Sequence, residues 1–299
     1  MSKMKEKGSV CMKVNGYDLG LRGHDIAENF SEMCEKATEF EIANLQFALA
    51  KTVSEVNFDE VGYDAKLARR IRQELDSRRL KVSVLGCYIN PVDSNPDAQK
   101  RQLLRFENFI DYAKAFDATV IGTETGYIVT SDSPQRINLE KTHSEQTYQL
   151  FVKNMKPIVE KAERQGVTVG IEPVAVCPIR SVAVMKRLLD DIPSEHLAVI
   201  LDMSNIITEE NYVKQTAMID EAFDVLGDKI KVIHVKDFVI SGGVKDFAPA
   251  GTGLLEIGHI FDRASALAQR PEIILDMTPL YLYRQSVETL MKKLERNEV

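Results

Sequence analysis

The feature that most constrains what this chain can fold into is an alternation that runs along its length. Short β-branched and aliphatic runs, KVSVLG (81–86), TVIGT (119–123), VTVGI (167–171), LAVIL (197–201), IKVIHV (230–235) and EIIL (272–275), are separated by long amphipathic patterns. Those patterns include residues 64–79, 101–116, 148–166 and 283–297, and two earlier β-rich runs, 11–21 and 43–48, bring the strands to eight. Nearly continuous apolar strands, each followed by a helix, call for a parallel sheet covered by helices. Eight such units predict an α/β fold, a single (β/α)8 barrel over residues 1–299, with residues 1–9 as a flexible N-terminus. A doubly wound open sheet is the competing arrangement, but no GxGxxG follows the first strand.

Composition narrows the function. With 299 residues the chain can bury one large core, and no Gly/Ser linker or low-complexity block divides it. A net charge of −7 argues against the basic face that nucleic acid requires. No stretch approaches the length of a membrane span, and no apolar signal-peptide core follows the charged MSKMKEKGSV, so a cytoplasmic protein is expected. Cys11, Cys34, Cys87 and Cys177 form no CxxC pair, which leaves them reduced and structural rather than zinc-binding or disulfide-bonded. The sequence leaves homo-oligomerisation open.

The chemistry-bearing residues follow from strand parity. Side chains alternate across a strand, so Val232, His234 and Lys236 share one face while Ile233 and Val235 take the other, against the helices. The same alternation turns Thr168, Gly170 and Glu172 inward, and it turns Asp202 and Asp276 inward at the ends of LAVIL and EIIL. Four successive strands therefore end in carboxylate, carboxylate, imidazole and carboxylate at the barrel mouth where active sites of this fold lie. Three like charges there would repel one another unless a cation sat among them. Glu172, Asp202, His234 and Asp276 thus form a candidate site for one divalent ion. Three oxygens and one nitrogen suit Mn²⁺, Mg²⁺ or Co²⁺ better than Zn²⁺.

At these residues the sequence resembles the sugar phosphate isomerase/epimerase superfamily of xylose isomerase-like TIM barrels. IEP (171–173), LDMSN (201–205), HVKD (234–237) and APAGTGLLEIGHIF (248–261) are similar to that family's successive strand-end motifs, and the resemblance runs from about residue 10 to 295. It implies a metal held by Glu172, Asp202, His234 and Asp276, with Glu172 and Asp276 also serving as acid and base. The expected activity is metal-dependent isomerisation or epimerisation of a ketose or sugar phosphate through an enediolate. The alternatives are an inosose-type dehydratase and a non-catalytic sugar-binding barrel; an apurinic-type endonuclease would need more histidines and a basic surface. Two departures stand out. The last strand ends in Asp276, where the family usually has Glu, and Asn205 stands where sugar epimerases often carry His.

Weaker candidates surround this set. His24, Glu124, Asn205 and Lys236 are expected to meet substrate, Lys236 through a phosphate or carboxylate. Gln46, Tyr88 and Asn90 lie at comparable strand ends. His143, His196 and His259 fall on helical or loop patterns and read as surface residues.

Overall fold

The computed structural model describes residues 13–54, 56–130 and 133–295. Its eight parallel strands are β1 (Tyr17–Arg22), β2 (Asn44–Phe47), β3 (Lys81–Gly86), β4 (Val120–Thr123), β5 (Val169–Ile171), β6 (Leu197–Leu201), β7 (Ile230–Val235) and β8 (Glu272–Leu275). Neighbours pair in sequence order, and β8 returns to β1 with Ile274 opposite Gly20, so the sheet closes into a barrel. Eight helices follow the strands: α1 (Phe30–Glu39), α2 (Ala65–Ser77), α3 (Pro96–Ala115), α4 (Glu145–Gln165), α5 (Val182–Asp191), α6 (Gln215–Leu226), α7 (Ile257–Ser265) and α8 (Leu280–Glu295). Closed parallel strands with an outer ring of helices are the (β/α)8 barrel that the alternation predicted.

The helix starts have local causes. Asp64 caps α2 by accepting from the amides of Lys66 and Leu67, and Ser144 caps α4 by accepting from Thr147. The third helix begins five residues before the periodic pattern at 101, because Asn95 caps it and Pro96 supplies its first turn. Among the early strands, the run 11–21 is a hairpin rather than one strand. Asn15 (φ 49°) and Gly16 (φ 75°) make a two-residue turn, after which Lys13–Val14 pairs antiparallel with β1. Cys11 and residues 1–9 lie outside the described residues; Cys34, Cys87 and Cys177 are buried free thiols.

Two apolar layers set the direction of every strand-end side chain. Val169, Ile171, Val199, Leu201, Ile233, Val235, Ile273 and Leu275 pack outward into the layer shared with the helices. Val84, Val120, Ile200, Val232 and Ile274 form a separate cluster inside the barrel. Room for it comes from glycine: a Cβ on Gly122 would stand 2.6 Å from Val84 and 2.7 Å from Ile200. Because odd and even positions are fixed by burial on both faces, a slip of one residue would bury polar groups among the helices. The carboxylates that end β5, β6 and β8 are thereby aimed at the mouth.

One irregular addition shapes that mouth. Residues Asp237–Ser241 and Val244–Ala248 form a hairpin directly after β7, turned at Gly242 and Gly243, both at positive φ. Asp237 secures its base by accepting from the amides of Phe238 (2.9 Å), Gly253 (2.7 Å) and Leu255 (2.8 Å). Gly253 cannot carry a side chain here, since a Cβ would lie 2.2 Å from the Phe238 carbonyl oxygen. Among the described residues no helix is long and apolar enough to cross a membrane.

Candidate active site

A cavity of about 530 Å³ opens at the C-terminal ends of the strands. Glu172 after β5 and His234 within β7 line it, and Asp202 after β6 is grouped with them, all 3% exposed or less. One ligand atom of each lies within 4.8 Å of the others, the only such buried group among the described residues. Glu172 Oε1 accepts a 2.7 Å hydrogen bond from Asn205 Nδ2 and faces His234 Nδ1 at 3.3 Å. His234 Nε2 has no partner, and neither oxygen of Asp202 accepts an aligned hydrogen bond, although Lys236 Nζ stands 3.0 Å from Oδ2. Buried polar atoms of this kind are costly to leave unmatched. Two carboxylates and an imidazole with unused lone pairs suit a divalent cation that prefers oxygen and nitrogen.

Asp276 shares the cavity but falls outside that group of three. Its Oδ1 is 2.8 Å from Arg22 Nη1 and its Oδ2 is 2.8 Å from Lys236 Nζ. Burial alone would raise its pKa, but Lys236, His234 and Arg22 outweigh burial and hold it down at about 2. Lys236 is 5% exposed, so it is no solvated loop lysine. Burial disfavours its charge, yet Asp202 and Asp276 push its pKa up. Its ammonium also lies 4.5 Å from the centre of the Phe247 ring, at cation–π distance.

Glu124, at the end of β4, lines the same cavity. Desolvation, reinforced by the negative charge of Glu172, pushes its pKa up to about 7. His24 also lines it, with Nε2 3.5 Å from Lys51 Nζ, and burial together with Lys51 and Arg22 lowers its pKa to about 4. Gln46 and Tyr88 reach the cavity and hydrogen-bond to each other. Asn90 does not line it. Its amide nitrogen donates to the Tyr127 carbonyl, and its oxygen accepts from the Tyr127 amide at 3.1 Å. His143, His196 and His259 are outside the cavity and half-buried rather than on open surface; His259 faces Asp220 at 2.8 Å.

Strand parity did not find Arg22, Lys51, Lys245 or Phe247, all of which line the cavity. The SGG at 241–243, between runs of β character, is the signal for the hairpin that carries Lys245 and Phe247. Lys245 itself donates to the carbonyls of Ser204 (2.6 Å) and Ile207, which docks the hairpin on the loop after β6.

The chain belongs to the xylose isomerase-like TIM barrel family, whose pattern it matches over residues 28–294. No curated protein matches it by sequence. Among solved structures it is similar to a D-tagatose 3-epimerase-like protein (TM-score 0.71, 15% identity, 94% of this chain and 99% of that one). It is likewise similar to the apo form of 3-keto-D-glucoside 4-epimerase, YcjR, from E. coli (TM-score 0.70, 15% identity, 92% and 99%). A third is a xylose isomerase-like TIM barrel protein from Mycobacterium smegmatis in complex with magnesium (TM-score 0.67, 12% identity, 95% and 100%). At these identities the likeness establishes the fold.

Proposed function

We propose that this protein is a divalent-metal-dependent isomerase or epimerase of a ketose or sugar phosphate, acting through an enediolate. The observation that carries the reading is the buried group Glu172, Asp202 and His234, with unmatched lone pairs beside a cavity of about 530 Å³. These three residues would hold the metal, Mn²⁺ or Mg²⁺ being the ions that suit them. When bound it supplies Lewis acidity toward a substrate carbonyl and the neighbouring hydroxyl, easing loss of the intervening proton.

The protein's own residues do the rest. Glu172 removes the proton from the carbon beside the carbonyl, and Asn205 holds the carboxylate in one orientation through Oε1. The Lys236 ammonium offers a hydrogen-bond donor where charge gathers on a substrate oxygen. Asp276, ionised and paired at both oxygens, has no proton to return. Glu124, with a pKa of about 7, is the cavity carboxyl that carries a proton near neutrality, and we assign it the return step. Return to the same carbon from the opposite face gives an epimer; return to the adjacent carbon gives an aldose.

Solvent deuterium exchange into a panel of ketoses, ketose phosphates and inososes, with Mn²⁺ or Mg²⁺ added, tests the proposal. Metal-dependent exchange at one carbon is expected. Metal and sugar binding without exchange into any member would make this a sugar-binding barrel instead.

A further inference from the structure

The three oxygen-bearing strand ends are not equivalent. Asp276 is 5% exposed and both its oxygens are engaged by cations, Arg22 from β1 and Lys236 just past β7, each at 2.8 Å. Arg22 is fixed in turn by Asp25, which receives its Nε at 2.7 Å and its Nη2 at 2.9 Å. Lys236 reaches the other way to Asp202 Oδ2 at 3.0 Å. A chain of alternating charge, Asp25, Arg22, Asp276, Lys236, Asp202, therefore runs from the end of β1 to the end of β6, and its three middle members line the cavity. If it moved to another cation, the short Asp276 carboxylate would give up the charge-assisted hydrogen bond from Lys236 and the ion pair with Arg22. Leaving Arg22 and Lys236 buried without their anion would cost more still.

We propose that Asp276 is not a metal ligand in this protein but the anion that positions Lys236, so that the metal is held by Glu172, Asp202 and His234 alone. This rests on the metal reading above and departs from the four-ligand arrangement that the family resemblance implies. Its consequence for substrate is direct. Lys236 Nζ donates one hydrogen to Asp276 and stands 3.0 Å from Asp202 Oδ2 as an ion-pair partner, which leaves a hydrogen for a ligand in the cavity that Lys236 lines. With three protein ligands, more positions on the ion are left for a chelating hydroxycarbonyl substrate. Asp276 thus acts through Lys236 and is a positioning residue.

The test is a Mn²⁺ titration at neutral pH, read as free Mn²⁺ by electron paramagnetic resonance, with folding checked by circular dichroism. Asp202→Asn should weaken binding more than about 100-fold, since even outer partners of metal ligands are worth about 10- to 100-fold. Asp276→Asn should weaken it no more than about tenfold, through lost negative charge alone. The double variant Lys236→Met, Asp276→Asn removes one charge of each sign and should bind within about threefold of the wild type. It also carries the test if the single Asp276 variant fails to fold. A double variant as weak as Asp202→Asn would make Asp276 a ligand and overturn the inference alone. A wild type that takes up no Mn²⁺ would overturn the inference and the metal reading together.

Discussion

The two halves of the barrel share one core but not one chemistry. Val84 and Val120 from β3 and β4 pack inside the barrel with Ile200, Val232 and Ile274 from β6, β7 and β8. At the mouth the symmetry ends. Strands β5 to β8 deliver Glu172, Asp202, His234 and Asp276, every one buried. Strands β1 to β4 deliver Arg22, Gln46, Tyr88 and Glu124, of which Gln46 and Tyr88 bond each other and Arg22 crosses over to neutralise Asp276. The late half concentrates buried negative charge, whereas the early half offers longer side chains, of which Arg22 compensates part of it.

Removing the base should break the late half first. Glu172→Gln, assayed at Mn²⁺ concentrations high enough to offset its weaker binding through the amide oxygen, is expected to lower deuterium exchange by about 10³-fold, in the range of a positioned general base. Undiminished exchange would move the base to another residue. The shared core comes next. Ile200→Ala should cost about 3 kcal/mol of stability, because the glycine-lined interior cannot collapse onto the cavity; denaturant midpoints of both proteins measure it. A loss under about 1 kcal/mol would mean that the interior repacks.

Glu124 tests whether the early half takes part in the chemistry. As a proton donor with a pKa of about 7 it must be protonated, so the return step slows as pH rises through that value. Glu124→Gln should cost about 30-fold and erase that limb of the pH–rate profile. Persistence of the limb would assign it elsewhere. Asn205→Ala, which frees Glu172, should lower kcat by about tenfold and leave KM nearly constant; a raised KM would mean that Asn205 also meets substrate. The smallest expected effect is at the rim. Lys51→Ala should raise KM by about threefold for phosphorylated substrates and leave neutral sugars unaffected, and equal KM changes for both would make Lys51 a general structural residue.

Much of the late half was legible in the sequence because its signal is local. Period two within VTVGI, LAVIL, IKVIHV and EIIL fixes which residue of each pair faces inward, and the same layers appear in the packed core. Lys236 was placed on the face of His234 by that rule. Its burial was not readable, since it depends on Asp202 and Asp276 arriving from other strands. Arg22 left no local trace: its partner Asp276 is on the strand that closes the barrel, and no periodicity links residues that distant. The run 11–21 looked like one strand, although its alternation shifts phase between Val14 and Tyr17 at Asn15-Gly16, a hairpin signal, where positive φ at both residues turns the chain back. Asn205 was marked as a departure from a histidine pattern. Its bond to Glu172 gives the position a role that the residue type alone did not suggest.

The Asp237 anchor separates two histories of assembly within one cavity. Glu172, Asp202 and His234 meet only when three strands, spread over more than sixty residues, have docked side by side. The hairpin bearing Lys245 and Phe247, by contrast, is tied off by amides 1, 16 and 18 residues from Asp237. Loops that short close in well under a microsecond, long before a parallel barrel can seal. That wall of the cavity therefore has both its ends tied at one point, so the length between them can change without moving Glu172, Asp202 or His234, and only the bonds from Lys245 to the Ser204 and Ile207 carbonyls would have to be remade.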